Sequence, residues 1–375
     1  MLDNYNNSDS FCPYYNQGLL IDSNSMGQTR IAMCCFQARS EPVSEVRFDH
    51  PHLESIRTQS MHGVPDQCAP SCRDSDYFLN ERLRAREHQC WDNSGQRIKK
   101  LHLKQGLICN LECISCSSEL SSAWNTHYHH FDPTVNPLIL NKTTKQSWKH
   151  LDLSAVTELH FDGGEPLLNR ENVTILEELD QQGLLSQVSL TYNTNGTIIP
   201  DQHLLDLWTK TRWVRLYFSL DGIGSVFEYT RHPAKWSQVE SNILAFTKLK
   251  EPCILLEVNA VVGIHNVFNL KDFYNWWVNC LPTGNQGDPS QIFVRRIEPT
   301  SAGGKALSLK HLPLSLKTAA EDYINDLVDL PGSLDLLKDI ATGPDLGWLE
   351  FFDKLDTIRG TNWKQSLPAQ LKKYA

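Results

Sequence analysis

The chain has 375 residues, 40% of them apolar, which is enough for a substantial core divided between about two domains. It carries 35 basic and 44 acidic residues, a net charge of −9, and no dense basic run. Nucleic-acid binding requires a basic face, so this balance excludes a nucleic-acid partner. No apolar run reaches the length of a membrane span, and the polar segment 1–10 does not resemble a signal peptide. We therefore expect a cytoplasmic protein with no membrane partner.

The first ninety-six residues contain a concentration of cysteines that core packing does not explain. In a cytoplasmic chain such cysteines are metal ligands before they are disulfides. Four thiolates suit a structural zinc ion as well as an iron–sulfur cluster, so a zinc-stabilised hairpin domain remains an alternative at this point. The six cysteines of the segment are Cys12, Cys34, Cys35, Cys68, Cys72 and Cys90.

From residue 98 onward, strand patterns alternate with helix patterns. Strands are predicted at 98–104, 156–161, 187–192, 214–218, 254–262 and 292–297. Helices are predicted at 168–185, after a capping-box pair formed by Ser237 and Glu240, and at 270–281. This alternation predicts an α/β fold, a partial (β/α)6 TIM-like barrel over residues 97–300 whose sites gather at the carboxyl ends of the strands. Residues 301–375 form a predicted C-terminal helical extension.

A run of three cysteines follows the first predicted strand of the barrel. Cys109, Cys113 and Cys116 are separated by three and then two residues. Electron-transfer clusters and structural zinc sites are usually closed by four protein ligands. Three thiolates can hold a 4Fe–4S cluster and leave one iron open to a small molecule. The triad therefore indicates a reactive site and not one that only stores an electron. Cys253 and Cys280 lie within a predicted strand and a predicted helix, and we expect them to be inert buried thiols.

Three further motifs stand at the ends of predicted strands. The segments are Asp162-Gly163-Gly164-Glu165-Pro166, Asn193-Thr194-Asn195-Gly196 and Ser219-Leu220-Asp221-Gly222, with Arg231 ten residues further on. Each by itself is ordinary turn chemistry. Together with the cysteine triad, in this order, they resemble the radical S-adenosylmethionine (SAM) enzymes over roughly residues 98–300.

The resemblance implies which residues bind the cofactors. In that family the triad binds a 4Fe–4S cluster, and SAM chelates the open iron through its amino and carboxylate groups. Gly163, Gly164 and Glu165 would then receive the SAM amino group, and Ser219 and Arg231 its carboxylate. Asn195 lies where contacts to the ribose are expected. Ser115 departs from the family, in which the residue before the last cysteine is commonly aromatic, and this departure puts the adenine pocket in doubt.

The N-terminal cysteines resemble the auxiliary-cluster modules called SPASM or twitch domains. These modules carry further 4Fe–4S clusters and usually follow the barrel, whereas here the module, residues 1–96, precedes it. The resemblance is to a twitch-type subgroup with this inverted order. The ligands it implies are Cys12, Cys34, Cys68 and Cys72, with Cys35 and Cys90 as alternates.

The family implies a reaction in which an external low-potential electron donor reduces the cluster. SAM is cleaved to methionine and a 5′-deoxyadenosyl radical, which abstracts hydrogen from a substrate C–H bond. Many enzymes with such modules modify ribosomal peptides, so the expected substrate is a peptide. The alternatives are a sugar-like or other small metabolite, or a non-catalytic iron–sulfur protein.

Overall fold

A computed structural model describes most of the chain and all of the barrel motifs. The described residues are 17–23, 28–34, 41–60, 97–104, 106–118, 120–131, 147–249, 254–280, 292–296, 301–327, 330, 332–340 and 347–374. Contacts divide the chain into two compact units, and each is described by itself. The first comprises Met1–Leu107, Ile139–Tyr192 and Pro200–Arg215, and the second Ile108–Leu138, Asn193–Ile199 and Leu216–Ala375.

The first unit is built around a mixed sheet. Its strands lie in the order β3-β2-β1-β4-β5-β6. Strand β1 pairs antiparallel with β2, and β2 with β3, whereas β1–β4, β4–β5 and β5–β6 are parallel pairs. The strands are β1 (Gly18–Ser23), β2 (Thr29–Ala32), β3 (Glu41–Pro42), β4 (Lys100–Lys104), β5 (Glu158–Asp162) and β6 (Ser189–Thr194).

Strands β4 and β5 alternate between an apolar and a polar face. Leu101 and Leu103 of β4 and Leu159 and Phe161 of β5 are buried on one face, as the two-residue period of a strand dictates. The other face carries Lys100, His102 and Lys104, in register with Glu158, His160 and Asp162. We call these six residues the polar face of β4 and β5.

Among its described residues, the first unit has three α-helices: Pro51–Ser60, Arg170–Gln181 and Gln202–Thr209. The side chains of Asn169 and Asp201 cap the second and third helices, accepting hydrogen bonds from Glu171 N and Leu204 N. Gly183 has a φ of +70° just after the second helix, a left-handed conformation that favours glycine and ends the helix.

The described part of the second unit contains strands β8 and β9, part of β7 and nine α-helices. Strands β8 (Ile254–Val262) and β9 (Ile292–Arg296) pair in parallel, and strand β7 (Trp213–Ser219) enters this unit at Leu216. The core includes fully buried aromatic side chains such as Trp277, Trp348 and Phe352. The helices are Gly224–Thr230, Trp236–Phe246, Leu270–Cys280, Gly304–Leu307, Leu314–Asn325, Ser333–Ile340, Gly347–Arg359, Trp363–Ser366 and Ala369–Lys372.

The predicted capping box at Ser237 and Glu240 is wrong. The helix begins at Trp236, Lys235 occupies the N-cap position, and no side chain of the cap residue bonds the first turn. Instead Glu228 accepts a hydrogen bond from Trp236 N at 3.1 Å, and the Glu240 carboxylate accepts one from Trp276 Nε1 at 2.7 Å. A carboxylate from the preceding helix therefore satisfies the N-terminal amide, and Ser237 lies inside the helix.

The coarse fold class is confirmed as α/β with parallel strands. The arrangement of the strands as a partial (β/α)6 barrel and the presence of a twitch module stay predictions. So do the domain boundaries at 96/97 and 300/301. Among the described helices, none combines the length and the apolar character that crossing a bilayer requires.

Candidate functional site

The cysteine loop, residues 109–116, lies in the second unit and is held mainly by backbone hydrogen bonds. Glu112 N donates to His232 O at 2.7 Å, and Ile114 N donates to Thr230 O at 2.9 Å. On its other side, Gly303 N donates to Ile114 O at 3.1 Å. Three side chains add to this support: Ser121 donates to Leu111 O, Trp124 donates to Cys113 O, and Ser122 accepts from Cys109 N. These hydrogen bonds hold the backbone of the loop in place.

The cysteines of the triad differ in their exposure to solvent. Cys113 is buried, while Cys109 and Cys116 are partly exposed, and all three are free of disulfides. Burial raises the pKa of Cys113 to about 12 and also raises the pKa of Cys116. A cation that binds these sulfurs must displace their protons.

Asn195, the predicted ribose contact, is part of a small amide network beside the loop. Its Nδ2 donates to Asn110 Oδ1 at 2.9 Å, and its Oδ1 accepts from Thr197 N at 2.9 Å. Asn110 in turn donates to Thr197 Oγ1 at 2.9 Å. Asn195 Nδ2 also lies 4.0 Å from Cys109 Sγ. The structure thus brings Asn195 to the cysteine loop, while its role toward ribose stays a prediction.

Arg231 lies between a carboxylate and a sulfur. Its Nη2 is 2.9 Å from Asp221 Oδ2, and its Nη1 donates to Cys113 Sγ at 3.6 Å. Burial opposes ionisation of the guanidinium, but the neighbouring Asp221 more than offsets this and raises the Arg231 pKa. Ser219 ends strand β7, two residues before Asp221. The predicted contacts of Ser219 and Arg231 to a SAM carboxylate stay predictions.

Gly163, Gly164 and Glu165 follow strand β5 in the first unit. Gly163 has a φ of +116°, a conformation that favours glycine, and its N–H donates to Asp162 Oδ1 at 2.8 Å. Glu165 is buried, and its carboxylate accepts from Leu167 N at 3.1 Å at the start of the 3-10 helix Pro166–Leu168. The turn is thereby fixed, and its predicted contact with the SAM amino group stays a prediction.

Two stacked histidines occupy the polar face of β4 and β5. The rings of His102 and His160 are parallel within 5° with centroids 4.0 Å apart. His102 Nε2 lies 3.6 Å from Asp162 Oδ2. Burial opposes ionisation of Asp162, but the contact with His102 and the charge of Lys104 outweigh it, and the Asp162 pKa lies well below its usual range. Sequence reasoning missed this pair, although the alternation in both strands places the two rings in register.

The donor set of the triad fits an iron–sulfur cluster. Thiolates are the ligands that iron–sulfur clusters use, and each cysteine of a cluster binds a different iron. Among the described residues, no three His, Cys, Asp or Glu side chains are grouped as one metal ion would require. The ligands of a cluster need not converge on one point, because each cysteine binds a different iron.

The predicted auxiliary ligands fall almost entirely outside the described residues. Cys12, Cys35, Cys68, Cys72 and Cys90 lie in segments that are not described, as does Cys253. Cys34 lies among the described residues and is partly buried, and Cys280 is the last residue of a helix. The auxiliary cluster stays a prediction.

Sequence reasoning also missed Arg359, a residue of the C-terminal extension. Its side chain is fully buried, donates to Glu112 O in the cysteine loop, and donates to Tyr229 O at 3.2 Å. Its guanidinium stacks over Trp124, 5.0 Å from the ring centroid, and burial lowers its pKa to about 10. The extension therefore contributes to the loop, which no local pattern in the sequence indicates.

Comparison with known proteins finds distant relatives and no matching family model. The chain is 24% identical over 267 residues to a GTP 3',8-cyclase of Bradyrhizobium diazoefficiens, covering 69% of this chain and 71% of that protein. It is 27% identical over 182 residues to a probable GTP 3',8-cyclase of Methanocaldococcus jannaschii, covering 48% of this chain and 55% of that protein. These similarities support the resemblance to the radical SAM superfamily, whereas the twitch-type subgroup stays a prediction.

Solved structures give weaker likenesses. Native anSMEcpe with bound AdoMet aligns with a TM-score of 0.38 and 17% identity, covering 62% of this chain and 59% of that one. Streptococcus suis SuiB bound to precursor peptide SuiA aligns with a TM-score of 0.37 and 11% identity, covering 86% and 69%. At these TM-scores the likenesses carry no functional argument.

Proposed function

We propose that this protein is a radical SAM enzyme whose cluster is held by Cys109, Cys113 and Cys116. The observation that carries the proposal is the cysteine loop, which backbone hydrogen bonds hold on both sides and which Asn195 and Arg231 contact. A binding protein without catalysis has no physical need for three thiols that leave an iron open. The sequence similarity to GTP 3',8-cyclases supports the same superfamily.

When bound, the reduced cluster would supply the electron that cleaves SAM to methionine and a 5′-deoxyadenosyl radical. The residues of this chain would hold the cluster and orient SAM. The triad would hold three irons of the cluster, the Gly163–Glu165 turn would receive the SAM amino group, and Ser219 and Arg231 would hold its carboxylate. An external low-potential donor supplies the electron. The target C–H bond must be held within contact of the radical carbon while water is excluded.

The open iron gives a direct test of this proposal. Anaerobically reconstituted, reduced protein should change its electron paramagnetic resonance spectrum when SAM is added, because SAM becomes a ligand of the open iron. The variant with Cys109, Cys113 and Cys116 all replaced by alanine should lose this change. The proposal is contradicted if the cluster at the triad is reduced but its spectrum does not change at saturating SAM.

A small polar substrate, such as a purine nucleotide, is the second candidate. The relatives are named for a reaction of GTP, and the polar face of β4 and β5 offers cationic and hydrogen-bonding groups in register. Small-molecule sites place a few polar groups of this kind on a rigid scaffold. The ribosomal-peptide substrate expected from the sequence stays a prediction that no described contact favours.

Equilibrium binding of GTP to the anaerobic protein distinguishes these substrates. We expect saturable binding below about 1 mM, the upper range of typical enzyme affinities, and at least tenfold weaker binding in His160→Gln. The matched control is His203→Gln, since His203 is exposed, lies outside the polar face of β4 and β5, and pairs with Glu177 at 2.8 Å. Absence of saturable binding, or equal loss in both variants, contradicts the nucleotide candidate.

A further inference from the structure

Asp221 is a buried carboxylate with an unusually complete set of partners. Its exposed fraction is 2%. Oδ1 accepts from Val261 N at 2.8 Å, and Oδ2 accepts from Arg231 Nη2 at 2.9 Å and from Ser115 Oγ at 3.2 Å. Its backbone oxygen accepts from Asn266 Nδ2 at 2.7 Å. Four hydrogen bonds hold this residue in one position, so its charge is fixed relative to the cysteine loop.

Arg231 links this carboxylate to the triad. The same guanidinium that pairs with Asp221 donates from Nη1 to Cys113 Sγ at 3.6 Å, within the distance of a hydrogen bond to sulfur. Arg231 is 6% exposed, so water screens neither its charge nor that of Asp221 effectively. Among the charged side chains of arginine and aspartate that act on the Cys113 sulfur, Arg231 acts most strongly, and Asp221 and Arg359 act more weakly.

We propose that Asp221, acting through Arg231, sets the charge experienced by the Cys113 sulfur and thereby the reduction potential of the cluster. This inference rests on the proposed function, since it needs a cluster at the triad. Hydrogen bonds and positive charge at a cluster sulfur stabilise the reduced, more negative state and raise its potential. Arg231 acts in that direction, and Asp221 opposes it by neutralising part of the guanidinium charge.

Ser115 also contacts the Asp221 carboxylate, and it does so from within the cysteine loop. This position is commonly aromatic in radical SAM enzymes, and here its hydroxyl donates to Asp221 Oδ2. The hydroxyl stabilises the anionic form of Asp221 and connects it to the cysteine loop, one residue from Cys116 and two from Cys113. Asp221 and Ser115 are therefore positioning residues, since neither touches a sulfur in the described contacts.

The test is the reduction potential of the reconstituted cluster, measured by redox titration with electron paramagnetic resonance in the absence of SAM. Asp221→Asn keeps the shape and the acceptor for Val261 N but removes the charge, so it should raise the potential. Arg231→Met removes both charge and donor, so it should lower it. At a given solution potential, each substitution should change the ratio of reduced to oxidised cluster at least tenfold. For a one-electron couple this is a shift of the reduction potential by about 59 mV. The double variant should lie near the wild-type value, because the two charges offset each other.

Several controls separate this role from a merely structural one. Iron and sulfide content and thermal unfolding are measured for each variant. Arg231→Lys, which keeps the charge, replaces Arg231→Met if that variant takes up no iron, and should shift the potential less than Asp221→Asn does. Shifts of the same sign in Asp221→Asn and Arg231→Met, or no tenfold change in Asp221→Asn, overturn the inference. Wild-type protein that takes up no cluster at the triad contradicts the proposed function instead.

Discussion

His265 is a fully buried titratable residue that follows strand β8 in the second unit. Neither of its ring nitrogens has a hydrogen-bond partner among the described residues. Burial lowers its pKa from 6.5 to about 4, with the nearby Asp221 opposing this shift and Arg231 adding to it. The native protein therefore holds this imidazole neutral at pH values where the unfolded chain binds a proton.

The shift predicts a loss of stability in acid. As the pH falls from about 6.5 to about 4, His265 gains a proton in the unfolded state but stays neutral in the native state. The free energy of unfolding therefore falls by at most about 3 kcal/mol on account of this residue. The free energy of unfolding in urea, measured between pH 7.5 and 4.5, should fall less steeply in His265→Gln than in wild type. Equal slopes in wild type and His265→Gln contradict this account.

At the residue scale, the sequence predicts which side chains reach the site but not what they touch there. Arg231 is predicted as a ligand for a SAM carboxylate, and the structure pairs it with the carboxylate of Asp221. Its second contact, Cys113, is 118 residues away in sequence. Such partners depend on how distant segments fold together, and no local period encodes them. Asp221 stands in the sequence as an ordinary Asp-Gly turn, so its role is visible only from its contacts.

At the scale of elements, the cysteine loop depends on a close backbone approach at Gly303. A Cβ added there would lie 2.6 Å from Ile114 Cγ2 and 2.6 Å from Leu307 Cδ1. The φ of Gly303 is −90°, which any residue can adopt. The glycine is therefore needed for space and not for its backbone conformation.

Gly303→Ala should displace Ile114, and with it the cysteine loop. We expect a loss of about 1–3 kcal/mol in unfolding free energy, the usual cost of overpacking, and a lower iron content after reconstitution. Gly183→Ala is the control, because its added Cβ meets nothing within 4 Å although φ is +70°. That variant should lose some stability through backbone strain but keep full iron content. Full iron content in Gly303→Ala means that the loop does not depend on this contact.

Strong periodic patterns made the elements predictable. Strand β8 spans Ile254–Val262, as the sequence predicts, because a long apolar run with β-branched residues has few alternatives. The capping box at Ser237 failed because Glu228, on another helix, bonds Trp236 N. Likewise, Arg359 reaches the cysteine loop from the C-terminal extension, and amphipathic spacing in a helix does not reveal such a contact.

At the scale of the whole molecule, the cysteine count predicts two clusters. The triad accounts for one cluster, and the predicted ligands Cys12, Cys34, Cys68 and Cys72 for an auxiliary one. Reconstituted protein should then hold roughly eight irons per chain, and the triple alanine variant of the triad about half. Replacing Cys68 and Cys72 by alanine should also leave about half the iron of wild type. Zinc in place of this second set, with about four irons per chain in wild type, would support the zinc-hairpin alternative.

The central claim is that the triad performs radical SAM chemistry, and SAM cleavage tests it most directly. Anaerobically reconstituted protein, given a strong reductant, should convert SAM to 5′-deoxyadenosine and methionine, quantified by liquid chromatography. Replacing Cys109, Cys113 and Cys116 together by alanine should abolish the conversion, whereas Cys280→Ala, at the end of helix Leu270–Cys280, should retain it. Undiminished cleavage in the triple variant, or no cleavage by wild-type protein with a full cluster, contradicts the claim.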